Sequence, residues 1–106
     1  MDYETILKND LYAAMRANDT LRKRVIRLLM SSIELAEVAK GSKLSDSEFI
    51  ALVQKEIKTK NDTIVDAEKA NRPEMVKEQL EEIKVLEGYL PKQLSEAELV
   101  QLAEEV

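Results

Sequence analysis

The 106-residue chain has no cysteine and no histidine, so several kinds of active site cannot be built from it. Without cysteine it forms no disulfide bond and offers no thiol nucleophile. Without histidine it has no Ser-His-Asp triad, and without either residue it lacks the usual zinc ligands. Its two glycines are too few for a glycine-rich phosphate-binding loop. These absences predict a chain with no catalytic residue, no metal site and no cofactor.

Long apolar runs and aromatic residues are also scarce. No apolar run approaches the roughly 18 residues that a membrane span requires, and the first four residues do not resemble a signal peptide. The chain has no tryptophan, one phenylalanine and three tyrosines, so its core must be aliphatic. We therefore expect no membrane association, and the lack of cysteine favours a reducing compartment, which we take to be the cytoplasm.

Charge is abundant but unevenly distributed along the chain. Charged residues make up 35% of the sequence, and the formal net charge is −5. Residues 1–73 contain 13 Lys and Arg against 12 Asp and Glu, whereas residues 74–106 contain three Lys against nine Glu. Nucleic-acid-binding proteins usually present a basic surface, so such a surface would have to lie in the amino-terminal part.

Capping signals predict two helices in the first 41 residues. The first helix follows Asp2 and ends near Ala17, and the second follows Asp19 or Thr20 and ends at Gly41. The buried face of the first helix is predicted to contain Tyr3, Ile6, Leu7, Leu11, Ala14 and Met15. The broader apolar stripe of the second consists of Leu21, Val25, Ile26, Leu28, Leu29, Ile33 and Ala36. Because this stripe is broad, we expect the second helix to lie at the centre of a bundle.

Two further helices follow. The third begins with a capping box at Ser45 and ends near Ala70, and the fourth begins at Pro73. The residues of the fourth helix predicted to face the interior are Val76, Leu80, Ile83, Leu86 and Leu90. Its outer face is predicted to be acidic, with Glu74, Glu78, Glu81, Glu82 and Glu87.

The stretch GYLPKQLSEAEL interrupts this helical pattern near the end of the chain. Gly88 and Pro91 both disfavour helix, and a second capping box begins at Ser95. An apolar stripe of Leu99, Leu102, Ala103 and Val106 follows. We therefore predict an all-α protein with a four-helix amino-terminal bundle over residues 1–90. Residues 91–106 would be a hinge and the first helix of a second, truncated helical domain, and the exposed fifth helix could promote self-association. The predicted hinge residues are Tyr89, Leu90, Pro91 and Lys92. The alternative is that Tyr89 and Leu90 pack against the end of the fourth helix and Pro91 terminates it.

Three blocks of the sequence together resemble one family. The run IKVLEGYLPKQLSEAEL resembles the signature of YqeY-like proteins, and VIRLLMSSIELAEVAKG and QKEIKTKNDTIVDAEKANRPEMV extend the similarity over essentially the whole chain. This GatB/YqeY domain family is related to the tail of the tRNA-dependent amidotransferase B subunit. The resemblance implies a helical bundle joined at the hinge to a small carboxyl-terminal domain. It also implies an accessory role in tRNA-dependent amidotransferase activity, a carbon–nitrogen ligase reaction with glutamine as amido-N-donor.

Two functions are consistent with these patterns. The first is tRNA binding, alone or with an amidotransferase complex, through the basic residues of helices two and three. These candidate residues are Arg22, Lys23, Arg24, Arg27, Lys55 and Lys58. The second is a non-catalytic helical protein–protein interaction module that uses the acidic fourth helix or the fifth-helix stripe. Acidic neighbours and the absence of interleaved aromatic residues leave an ordinary solvated face as the alternative interpretation of the basic stretch.

Overall fold

A computed structural model describes residues 2–91 of the chain, and these residues form four α-helices with no strand among them. The helices are α1 (Tyr3–Arg16), α2 (Thr20–Lys40), α3 (Asp46–Lys69) and α4 (Pro73–Glu87). The predicted four-helix bundle is thus confirmed.

The helix ends follow the capping residues that the sequence contains. The Asp2 and Asp19 side chains accept hydrogen bonds from backbone N–H groups in the first turns of α1 and α2. Ser45 and Glu48 form a reciprocal capping box at the start of α3. Gly41 ends α2 with a φ of 85°, a left-handed conformation that glycine adopts without steric cost. Local chemistry therefore determines where each of these helices begins or ends.

Helix α2 packs against each of the other three helices, which confirms its predicted central place. The most extensive contact joins α3 and α4, and the next joins α1 and α2. The core is aliphatic, as expected, except for one aromatic pair: Phe49 is fully buried and stacks on Tyr3, with ring centroids 4.6 Å apart and ring planes 5° apart. The other buried members of this cluster are Leu7, Val25, Ile26, Leu29, Ile33, Val53 and Leu86.

Several side chains predicted to be buried are exposed instead. Leu28 of α2 is 55% exposed and Leu80 of α4 is 49% exposed, and on α1 Ile6 and Met15 are 40% and 46% exposed. Each of these four lies at the edge of its apolar stripe, and the stripes are wider than the area that the neighbouring helices cover. The opposite error concerns Glu82, which was predicted on the outer face of α4 and is only 4% exposed.

The segment after α4 packs on the bundle as far as the structure describes it. The Tyr89 hydroxyl donates a 2.6 Å hydrogen bond to Asp10 of α1, and Tyr89 and Leu90 both pack against the core. The hinge interpretation of these residues is therefore not supported. Lys92 and the predicted fifth helix lie outside the described residues, and the division into two domains stays a prediction.

Candidate functional site

A buried carboxylate joins three helices at one side of the bundle. Glu82 of α4 accepts a 2.6 Å hydrogen bond from the Arg24 guanidinium of α2 and a 2.7 Å hydrogen bond from the Lys60 ammonium of α3. Arg24 also contacts Glu78, one turn earlier on α4, at 3.3 Å. We call Arg24, Lys60, Glu78 and Glu82 the interhelical charge network. Both oxygens of the Glu82 carboxylate are engaged, so the network satisfies a charge that burial would otherwise destabilise.

The pKa values of the network follow from these contacts. Burial by itself would raise the pKa of Glu82, but the hydrogen bonds from Lys60 and Arg24 outweigh burial and lower it. The hydrogen bond to Glu82 in turn raises the pKa of Arg24. Glu82 is therefore ionised at neutral pH and holds both cations in place.

This arrangement changes the interpretation of the basic stretch on α2. The charge of Arg24 is balanced by two glutamates of α4, so its first role is to connect helices. Arg22 lies beside Tyr89, whose hydroxyl donates to Asp10. Among residues 2–91, no acidic side chain forms an ion pair with Lys23 or Arg27. These two cations stand one helical turn apart on α2.

The candidate residues of α3 form a separate group. Lys55 and Lys58 are exposed, and Lys58 approaches Asp62 of its own helix at 3.9 Å. Glu56 lies against α2, because its carboxylate accepts a 3.4 Å hydrogen bond from Ser32. The candidate basic residues therefore belong to two groups, one on α2 and one on α3.

The role of Glu82 was not predicted from the sequence, although its position contained a signal. Glu82 lies one helical turn before Leu86 and directly before Ile83, both of which are buried, so it belongs to the apolar face of α4. A glutamate at such a position requires cationic partners, and α2 and α3 supply them. Only the three-dimensional packing shows that the partners are Arg24 and Lys60.

A second polar cluster joins the start of α1 to the end of α2. The Tyr3 hydroxyl donates a 2.7 Å hydrogen bond to Glu37, and the Leu44 backbone N–H donates to the same carboxylate oxygen at 3.2 Å. Burial, followed by the hydrogen bond to Glu37, raises the pKa of Tyr3 to about 12. Nearby, Lys43 pairs with Glu4. These contacts fix the α2–α3 connection on α1.

A cavity of about 400 Å³ opens beside this cluster, between α1 and α2. Leu7 and Ile33 contribute its apolar part, and Glu34 and Glu37 are among its polar lining residues. None of the candidate basic residues lines it. In the described part of the chain, no group of three or more carboxylates is arranged to hold a metal ion.

Comparison with known proteins gives a consistent family match. A family model described as Yqey-like protein matches residues 4–106. The chain is 37% identical over 91 residues to the Lachancea thermotolerans protein "Altered inheritance of mitochondria protein 41, mitochondrial", covering 85% of this chain and 49% of that protein. It is 35% identical over 85 residues to the Vanderwaltozyma polyspora protein of the same name, covering 79% of this chain and 46% of that protein. The chain thus spans about half the length of the curated relatives it matches.

The names of these relatives bear on location. Both relatives are described as mitochondrial, so the predicted cytoplasmic location is not confirmed. Over residues 2–91, every helix is too short or too polar to cross a lipid bilayer.

Proposed function

Since the chain belongs to the Yqey-like family, we propose that it is a tRNA-binding accessory protein linked to tRNA-dependent amidotransferase activity. The amidotransferase link is supported by the relation of this family to the tail of the amidotransferase B subunit. In this proposal the chain contributes binding and no catalysis. It contacts backbone phosphates, which any tRNA presents.

One observation supports the binding surface. Lys23 and Arg27 extend from one side of α2, and no carboxylate of the described residues neutralises either of them. Arg24 differs, because Glu78 and Glu82 already hold its guanidinium. We therefore assign phosphate contacts to Lys23 and Arg27, with Arg22 beside them at the amino-terminal end of α2. Arg24 fixes α2 on α4 and thereby positions these residues.

Lys55 and Lys58 are proposed as a second, weaker contact region. Both lysines are exposed on α3, the helix that meets α2 at the Ser32–Glu56 hydrogen bond. Each phosphate that a lysine or arginine neutralises releases counterions. For each such contact, a tenfold increase in salt lowers the logarithm of the binding constant by about 0.9 on duplex DNA and about 0.7 on a single strand.

The test is titration of the chain into labelled, deacylated tRNA at low and at physiological salt. We expect binding that weakens with salt and is lost in Lys23→Glu/Arg27→Glu. The matched control is Lys77→Glu/Lys84→Glu, which changes the net charge equally on the exposed acidic side of α4. No binding at low salt, or equal losses in both double variants, would contradict the proposal.

The second candidate function is a protein–protein interaction module that uses α4. Glu74, Glu81 and Glu87 are exposed, and no cation of the described residues forms an ion pair with them. Such a surface suits a basic partner. Binding of a basic partner that tRNA does not displace, and that Glu74→Lys/Glu81→Lys abolishes, would favour this function over the first.

A further inference from the structure

The outward face of α2 presents three large apolar side chains that the described bundle does not cover. Leu28, Leu35 and Val38 are 55%, 72% and 76% exposed. Together with the exposed Ser31 they recur at intervals of three, four and three residues, which aligns them along one side of a helix. At 1.5 Å per residue this line is about 15 Å long. We call these four residues the α2 seam.

The opposite face of α2 is already occupied. Val25, Ile26, Leu29 and Ile33 are buried in the core against the other helices. A surface helix normally has an apolar face toward the core and a polar face toward solvent, whereas α2 has apolar side chains on its core-facing side and on its outward side. Scattered exposed leucines need no explanation, but a continuous line of them is typical of an interaction surface.

Two charges flank the seam on the same side of α2. Arg27 and Glu34 are both exposed, and neither forms an ion pair within residues 2–91. They are seven residues apart, so they lie on one side of the helix at a separation of two turns. Their positions are nearly symmetric about Ser31, because Arg27 precedes it by four residues and Glu34 follows it by three.

We propose that the α2 seam is the interface of a homodimer in which α2 packs antiparallel to α2 of a second copy. A two-fold axis beside Ser31 would bring Leu28 of one copy against Leu35 of the other. The same axis would place Arg27 opposite the other copy's Glu34, twice per dimer. The small Ser31 side chains would meet at the axis and allow the two backbones to approach closely.

Charge complementarity favours a second copy in this orientation. A two-fold interface uses the same patch on both copies, so that patch must contain both members of each interacting pair. The α2 seam contains both members of the apolar pair, Leu28 and Leu35, and the flank beside it contains both members of the ion pair, Arg27 and Glu34. A parallel two-fold arrangement would instead put the Arg27–Glu34 flank of one copy on the opposite side of the interface from that of the other, so this ion pair would not form.

The size of the α2 seam limits the expected affinity of the homodimer. Stable interfaces usually bury about 1,600 Å² in total, and a seam of two or three helical turns provides less. We therefore expect a monomer–dimer equilibrium that depends on protein concentration. Arg27 also belongs to the proposed RNA surface, so Leu35→Glu, which leaves the basic residues unchanged, is the variant that tests the dimer alone.

Sedimentation equilibrium of the full chain over a wide concentration range measures this association. We expect Leu35→Glu to weaken it at least tenfold, whereas Leu80→Glu, at a side chain of α4 that is 49% exposed, leaves it unchanged. Arg27→Glu and Glu34→Arg should each weaken it about fivefold, and the combined charge swap should restore it. The proposal would be overturned if the wild-type chain were a monomer at all concentrations, or if the combined charge swap associated more weakly than both single variants.

The absence of cysteine allows a direct test of orientation. Under mild oxidation, Ser31→Cys should form a disulfide-linked dimer rapidly, since position 31 would meet itself at the axis. Leu28→Cys should crosslink poorly, because in the antiparallel arrangement it faces position 35. Val65→Cys, at an exposed site on α3, is the control for random collision. Efficient crosslinking through position 28, or a rate at position 31 no greater than the control, would exclude the antiparallel dimer.

Discussion

The burial of Glu82 allows a quantitative prediction about stability. In Glu82→Gln the side chain keeps its shape but loses the charge that balances Lys60 and Arg24. The Lys60 side chain is only 17% exposed, so it would remain as a largely buried cation without a partner. Arg24 would suffer less, because its side chain is 43% exposed and it retains Glu78.

Removing one partner of a buried ion pair typically costs 3–5 kcal/mol, and the lower end applies here because one of the two cations is half-exposed. We therefore expect the free energy of unfolding to fall by about 3 kcal/mol. For a urea m-value of about 1.5 kcal/mol/M, the unfolding midpoint would fall by about 2 M without a change in m.

Urea unfolding followed by helical circular dichroism measures this shift. The matched control is Glu81→Gln, at the exposed neighbouring position, which should change stability by less than about 0.5 kcal/mol. Lys60→Met/Glu82→Leu should regain most of the loss, because it removes the buried cation together with its partner. Equal midpoints for Glu82→Gln and Glu81→Gln would refute the assignment of Glu82 as a buried, paired carboxylate.

Two further predictions concern the stability of the protein in acid and the hydrogen bond between Tyr89 and Asp10. Folding lowers the pKa of Glu82 from its ordinary value of 4.5. The stabilisation that the ionised carboxylate gives to the folded state is therefore complete above pH 4.5, and it is lost as the pH falls through the pKa that Glu82 has in the folded protein. The stability difference between wild type and Glu82→Gln should therefore narrow as urea titrations move from pH 7 to below pH 4.5, and a constant difference would contradict this. Tyr89→Phe should cost about 1 kcal/mol, because it removes the hydrogen bond to Asp10 and keeps the ring packing. Tyr12→Phe, at a side chain that is 49% exposed, should have no effect in the same thermal-melt series.

Helix boundaries were predictable because their causes are local. Asp2, Asp19 and Ser45 cap the helices that follow them, and Gly41 and Pro73 mark an end and a start. Each acts within one turn of its own position, so a reader of the sequence needs no knowledge of the tertiary structure.

Burial was less predictable because it depends on which helices meet. The apolar stripe of α2 includes Leu28, yet no described helix covers that edge. The acidic pattern of α4 suggested that Glu82 faces solvent, although partners 22 and 58 residues away in sequence surround it. The candidate basic residues are indistinguishable in sequence, and only packing separates Arg24, which is paired, from Lys23 and Arg27.

The interhelical charge network also bears on how the bundle opens. The α3–α4 hairpin cannot separate from α2 without withdrawing Arg24 from Glu82, and α4 cannot separate from α3 without withdrawing Lys60 from the same carboxylate. Either partial opening breaks one of the two charge-assisted hydrogen bonds to Glu82, so we expect α2, α3 and α4 to open together. Amide hydrogens in the middle of α2, α3 and α4 should therefore exchange with solvent through one shared opening, and the three helices form a single cooperative unit.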